Sequence, residues 1–98
     1  MVNSHVDLLE GTTVTNNYGP GVYLGNGSAG RIIKNTITGN AAEGVRLSGI
    51  STAIVQDNIA ISGNGASDLL CSTNSYASGN KTGIKKMKCS SFEEEPAP

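Results

Sequence analysis

The sequence predicts an all-β solenoid, in which short strands wind into coils of about 23 residues that stack on one another. The first indication is that residues 21–24 (GVYL) return 23 positions later as residues 44–47 (GVRL). The second is that residues 13–17 and 36–40 repeat with the same period, which is the mark of a repeat architecture. The third is the alternation of apolar and polar residues within each segment, which indicates strands with one buried face.

Each coil is predicted to contain three short strands separated by Gly, Asn and Ser. Residues one period apart should stack in columns, and the inward-facing residues should form a continuous core. The predicted columns are Leu9, Ile32 and Val55; Val14, Ile37 and Ile61; Val22, Val45 and either Asp68 or Leu69; and Leu24, Leu47 and Leu70. The third coil has one extra residue between Asn58 and Asn64, which predicts a bulge there.

Asparagine recurs at the predicted corners. Asparagine tolerates the left-handed backbone conformation of a sharp turn, and its amide can bond to an equivalent amide in the next layer. We therefore expect two stacked ladders, one of Asn17, Asn40 and Asn64 and one of Asn35 and Asn58.

A sandwich built from hairpins is the competing fold. Asn26-Gly27 between two apolar segments is a strong hairpin signal. One period later the chain has Gly49-Ile50, which does not favour that turn, while the flanking strands still repeat. The solenoid is therefore the better prediction.

Residues 35–47 (NTITGN, three residues, then GVRL) resemble the repeat of pectate-lyase-like right-handed parallel β-helix proteins. The resemblance extends over about residues 9–80 and implies a single-stranded right-handed parallel β-helix of three to four coils. It also implies a closing segment in which Cys71 pairs with Cys89, since the last coil of bacterial and archaeal members is closed in this way. We expect a β-helix domain at 1–92, with an irregular start at 1–8 and the closing segment at 71–92, followed by a disordered acidic tail at 93–98.

Composition narrows the possible partners and compartments. The chain has 98 residues and a net charge of -1, which gives no electrostatic case for nucleic acid. It contains no apolar segment long enough to predict a membrane span. Two cysteines 18 residues apart favour a disulfide, worth about 3 kcal/mol, and hence an extracellular or cell-surface location. No signal peptide is visible, so we expect a fragment or mature segment, with a cytoplasmic protein carrying free thiols as the alternative.

Tyr23 and Arg46 are the candidate binding residues. Both lie at the middle of a strand whose neighbours point inward, so both should point outward, one coil apart at about 4.8 Å. An aromatic ring beside a guanidinium suits contact with a saccharide, and in the family the long parallel sheet commonly carries the saccharide groove. The alternative is that the two side chains stack on each other as ordinary surface residues.

No catalytic residue, metal ligand or cofactor is predicted. Calcium needs six to eight oxygen ligands and glycoside hydrolysis needs paired carboxylates. The predicted columns bring no three carboxylates together; the residues concerned are Asp7, Glu10, Glu43, Asp57 and Asp68.

Three functions follow as expectations. The first is a non-catalytic scaffold or saccharide-binding segment of a carbohydrate-active protein, with a polysaccharide as its partner. The second is a part of a polysaccharide lyase or epimerase whose active site lies mainly elsewhere. The third is an assembly module that associates with other copies through its open N-terminal strand edge. A minor fourth idea is ice binding, because Thr13 and Thr15 should stack on Thr36 and Thr38.

Overall fold

A computed structural model of the protein describes residues 9–72, 74–89 and 91–94. Within these ranges the chain forms twelve short strands and no helix. The strands are β1 (Leu9–Glu10), β2 (Thr13–Thr15), β3 (Val22–Leu24), β4 (Ala29–Ile33), β5 (Thr36–Thr38), β6 (Val45–Leu47), β7 (Thr52–Gln56), β8 (Ala60–Ser62), β9 (Leu69–Cys71), β10 (Tyr76–Gly79), β11 (Met87–Lys88) and β12 (Glu93–Glu94).

The strands form three parallel sheets, because the strands of successive coils stack on one another. Sheet A has the order β1-β4-β7-β10-β12, sheet B the order β2-β5-β8, and sheet C the order β3-β6-β9-β11. Strands that are neighbours in a sheet are about one coil apart in sequence and pair in parallel. The predicted solenoid of stacked coils is confirmed, and the hairpin alternative is wrong.

The core lies between the three sheets and consists of the predicted columns. Leu9, Ile32 and Val55 are in register, and so are Val14, Ile37 and Ile61. The column that begins with Val22 and Val45 continues with Leu69, which resolves the two options that the sequence left open. The central members of these columns are almost completely buried.

The fourth column differs from the prediction. Leu24 pairs with Leu47, but Leu47 pairs with Cys71 rather than with Leu70. Leu70 instead pairs with Arg46 and belongs to the outer face of sheet C.

The cause of this shift is the predicted extra residue, which is Ile59. The backbone N–H groups of Ile59 and Ala60 both point at the Asn35 carbonyl, at 2.9 and 3.3 Å. Two residues of this coil therefore oppose one residue of the coil before, as in a β-bulge. The next three strands, β8, β9 and β10, are 24 residues from their partners in the preceding coil instead of 23, as Ile37 and Ile61 illustrate.

The corner after β6 also differs from the prediction. Asn26 and Gly27 have φ values of 55° and 76°, and Gly49 and Ile50 have 66° and 64°. The second corner thus has the same left-handed pair as the first, although Ile50 is β-branched and intrinsically disfavours this conformation. The Gly27 N–H donates to the Gly49 carbonyl at 2.8 Å, so the two corners stack.

The asparagine ladders are present at the predicted positions. The predicted bonds between amides form, since Asn17 Nδ2 donates to Asn40 Oδ1 at 2.8 Å and Asn40 Nδ2 donates to Asn64 Oδ1 at 2.9 Å. Further bonds connect side chain to backbone. Asn58 Oδ1 accepts from the Asn35 backbone N–H at 3.0 Å, and Asn58 Nδ2 donates to the Ile32 carbonyl at 3.1 Å. The Asn35 N–H and the Ile32 carbonyl both belong to the coil that precedes Asn58. The ladder of Asn17, Asn40 and Asn64 repeats this arrangement, with backbone-to-Oδ1 distances of 3.1 and 3.0 Å.

The ladder of Asn17, Asn40 and Asn64 ends at a buried carboxylate. Asp68 is 1% exposed and its Oδ1 accepts from Asn64 Nδ2 at 2.8 Å and from the Asn64 backbone N–H at 3.3 Å. Its Oδ2 accepts from the Lys86 backbone N–H at 2.9 Å. Asp68 therefore takes the place that the asparagine of a further coil would occupy.

The C-terminal segment is fastened to the last coil by a disulfide between Cys71 and Cys89. Glu93 and Glu94, which composition assigns to a disordered tail, form β12 and pair with Ser78 and Gly79. Residues 1–8, predicted to be an irregular start, lie outside the described residues, as do residues 95–98 of the predicted tail.

Candidate functional site

Tyr23 and Arg46 lie side by side on the outer face of sheet C. They are register partners in the pairing of β3 with β6, and the residues on either side of each are buried. The Arg46 guanidinium carbon is 5.5 Å from the centroid of the Tyr23 ring, within the range of a cation–π contact. The structure therefore brings the two predicted residues together on a partly exposed face.

Two residues that the sequence did not indicate fix the position of the Tyr23 ring. Ser48 Oγ donates a hydrogen bond of 2.9 Å to the Tyr23 hydroxyl. The ring also covers Gly25, because a Cβ atom at Gly25 would lie 3.1 Å from the Tyr23 hydroxyl oxygen and 3.2 Å from Cζ. A larger residue at position 25 would displace the ring. Gly25 directly follows β3, and Ser48 directly follows β6 one coil later. That both are small residues is the only feature of the sequence that could have indicated their contact with the ring.

The outward column continues beyond the predicted pair. Arg46 is followed by Leu70 on β9, and Leu70 is followed by Lys88 on β11. The column therefore presents an aromatic ring, a guanidinium, an aliphatic side chain and an ammonium across four adjacent strands. At about 4.8 Å per strand it is about 14 Å long and runs parallel to the solenoid axis. The one-residue shift at Ile59 hid this continuation from the sequence.

A shallow concavity lies at the β11 end of this column. It has a volume of about 480 Å³ and is lined by Leu70, Cys71, Met87, Lys88 and Cys89. Polar and apolar atoms line it in about equal measure, and Lys88 contributes a positive charge.

Two polar atoms near the start of β6 have no protein partner. Arg46 Nε and Glu43 Oε1 are buried and make no hydrogen bond within the described part of the chain. Buried polar groups are normally paired, so an unpaired donor on Arg46 marks this side chain as unusual among surface arginines.

Other chemistry has less support from the geometry. Within residues 9–72, 74–89 and 91–94, no three His, Cys, Asp or Glu side chains are grouped closely enough to hold a metal ion. The same residues include no helix with the length and hydropathy needed to cross a membrane. On sheet B, Thr13 and Thr15 stack on Thr36 and Thr38 as expected, but the next strand offers Ala60 and Ser62, so the hydroxyl array is small.

Comparison with known proteins identifies the fold family. A family model described as the right-handed β-helix region matches residues 1–93. No match was found among curated proteins or among solved structures. The match covers nearly the whole chain and agrees with the parallel coils described above. This chain therefore belongs to the right-handed β-helix family, and its fold is the all-β, single-stranded parallel β-helix that its repeats predict.

Proposed function

We propose that the outer face of sheet C binds a saccharide without catalysing a reaction on it. The observation that carries this proposal is the fixed Tyr23 ring, which Ser48 holds by a hydrogen bond and which Arg46 flanks at 5.5 Å. A ring that is already immobilised loses little conformational entropy when a ligand stacks on it. The four-strand column then offers further contacts on the β6 side of the ring.

The chemistry of this column suits a sugar ring. A pyranose has an apolar C–H face that packs on an aromatic or aliphatic side chain and a rim of oxygens that accept hydrogen bonds. Tyr23 and Leu70 supply the apolar contacts. Arg46 supplies the N–H donors of its two terminal guanidinium nitrogens in a planar arrangement, and Lys88 supplies a second cation.

The disulfide supports an extracellular or cell-surface location for this activity. Disulfides persist mainly in oxidising compartments, and the Cys71–Cys89 bond lies next to the proposed binding column. If the parent protein is a polysaccharide lyase or epimerase, this face would hold the polymer while other residues perform the reaction.

Binding to neutral and anionic polysaccharides, measured by calorimetry with and without calcium, tests the proposal. Tyr23→Ala and Arg46→Ala should each weaken saturable binding about tenfold or more, as expected for central anchor residues. Arg31→Ala is the matched control, since Arg31 is exposed on the outer face of sheet A and should leave affinity unchanged. Failure of the folded protein to bind any polysaccharide, or equal losses in all three variants, would contradict the proposal.

We also propose self-association through the N-terminal strand edge as a second role. Within the described residues, β1, β2 and β3 each have a strand partner on one side only. Thr13 and Thr15 on β2 are exposed, while Val14 between them is only half-buried. A strand edge without a strand partner pairs readily with another chain.

Sedimentation at increasing protein concentration tests this second role. The double variant Thr13→Lys/Thr15→Lys should remain monomeric at concentrations where the wild type associates, because edge lysines oppose strand pairing. Ala60→Lys/Ser62→Lys places the same charges on β8, the opposite edge strand of sheet B among the described residues. Dissociation by the β8 variant alone, or a wild type that never associates, would rule out the N-terminal edge.

A further inference from the structure

We propose that Asn26 deamidates spontaneously in the folded protein, whereas Asn64 is protected from the same reaction. The chain contains two Asn-Gly pairs, at 26–27 and at 64–65. Both asparagines are therefore followed by glycine, and the residue that follows asparagine has the largest influence on the rate of deamidation. Their structural surroundings are very different.

Deamidation begins when the backbone nitrogen of the following residue attacks the side-chain amide carbon of asparagine. A new C–N bond closes a five-membered succinimide, the bond to the side-chain nitrogen breaks, and ammonia leaves with the proton from the attacking nitrogen. Water then opens the ring at either carbonyl, which gives aspartate or isoaspartate. Glycine in the next position favours the attack because it has no Cβ atom near the reacting nitrogen.

The environment of Asn64 blocks this sequence of steps. Asn64 Nδ2 donates to Asp68 Oδ1 at 2.8 Å and to the Ile37 carbonyl at 3.1 Å, and Oδ1 accepts from the Asn40 backbone N–H at 3.0 Å. The attacking nitrogen of Gly65 is also occupied, since it donates to the Asn40 carbonyl at 2.8 Å. The reaction at Asn64 therefore requires the ladder to open first.

Asn26 and the nitrogen that would attack it make far fewer hydrogen bonds than Asn64 and its neighbour. It is exposed at the corner after β3, and its side chain makes no hydrogen bond to any described residue. The Gly27 nitrogen donates one bond, to the Gly49 carbonyl at 2.8 Å, and the space at the Gly27 Cβ position is open. Opening one exposed corner bond is a small local fluctuation compared with breaking the several bonds that hold Asn64 and Gly65.

Conversion at Asn26 would alter the surface beside Tyr23. A carboxylate replaces a neutral amide, so the net charge of -1 becomes one unit more negative. The isoaspartate form also adds a methylene group to the backbone of the corner that stacks on Gly49. Asn26 follows Gly25, over which the Tyr23 ring lies, so the modification changes the immediate neighbourhood of the ring.

Peptide mass spectrometry of the folded protein, sampled over time in mildly alkaline buffer, tests the proposal. The peptide with Asn26 should gain the mass of deamidation at least about tenfold faster than the peptide with Asn64, because the ladder must open for the latter. In denaturant with the disulfide reduced, the two peptides should convert at similar rates. Asn26→Gln should remove the conversion assigned to this position in the folded protein.

Two results would overturn the proposal. One is conversion of Asn64 in the folded protein as fast as that of Asn26. The other is an Asn26 peptide that stays unmodified in the folded protein while it converts in denaturant, which would mean that the single corner bond is sufficient protection. Neither result depends on whether the protein binds a saccharide.

Discussion

Replacing Asn58 by alanine is expected to lower the free energy of unfolding by about 4 kcal/mol, because it removes the side-chain partner of the buried Asn35 N–H and of the Ile32 carbonyl. Asn58 is 1% exposed, and its Oδ1 accepts from both the backbone N–H and Nδ2 of Asn35, at 3.0 and 3.4 Å. Its Nδ2 donates to the Ile32 carbonyl at 3.1 Å. Each buried group left unpaired costs about 1–3 kcal/mol. Urea-induced unfolding measures the loss.

Asn26→Gly is the control for this variant. It also removes an asparagine side chain, but from an exposed corner, and glycine readily adopts the local φ of 55°. Its stability should stay within about 0.5 kcal/mol of the wild type. Comparable, small effects in the two variants would show that the ladder contributes nothing net to stability, contrary to our interpretation of the recurring asparagines.

Gly44→Ala should destabilise the protein by about 4 kcal/mol, the upper end of the cost of over-packing together with a lost hydrogen bond. A Cβ atom at Gly44 would lie 2.6 Å from Asn64 Nδ2, 2.7 Å from the Asp68 carbonyl oxygen and 3.0 Å from Ile61 Cγ2. The first atom belongs to a ladder asparagine and the second to backbone, so neither can move without breaking other bonds. Thermal unfolding followed by circular dichroism would detect the loss.

Gly19→Ala is the matched control, since nothing lies within 4 Å of its Cβ position. Its φ is not in the left-handed region, so alanine should be neutral or stabilise by about 0.5 kcal/mol through the unfolded state. A Gly44→Ala protein as stable as Gly19→Ala would mean that the coils can separate enough to admit a methyl group. The close coil packing described for this face would then be wrong.

The clash at Gly44 also explains the glycine at the start of the repeated G-V-x-L motif. Gly21 meets the same obstacle one coil earlier, where a Cβ would lie 2.7 Å from Asn40 Nδ2. The position one coil after Gly44 is Asp68, since Val45 pairs with Leu69. There the side chain is accommodated, and its carboxylate ends the ladder. The change from glycine to aspartate therefore coincides with the end of the regular coils.

The sequence alone was sufficient for the fold and for most of the core, since apolar alternation and a constant period determine which residues stack. It failed where the period changes. Extending the spacing of 23 past Ile59 placed Leu70 beneath Leu47, although the inserted residue was itself visible in the asparagine spacing. A single bulge shifts every later residue of its sheets by one, so an inward residue becomes an outward one.

The alternation of inward and outward residues also made part of the candidate site predictable. Strict alternation on β3 and β6 indicated that Tyr23 and Arg46 point outward as neighbours. Ser48 was not predictable as a partner of Tyr23, because that contact depends on the rotamer of the ring rather than on the repeat. The left-handed conformation of Ile50 was equally hidden, since a β-branched residue gives no local signal for it and stacking on the preceding corner determines the backbone.

The ladders have a direction, and this direction relates the fold to the order in which a chain is made. Each ladder asparagine bonds to the coil that precedes it, as Asn58 does to Asn35 and Ile32. A coil that has just left the ribosome therefore carries the asparagine side chains that fasten it to the coil already made. Only the N–H groups at its own corner must wait for the next coil, and at Asn64 those groups bond to Asp68 instead.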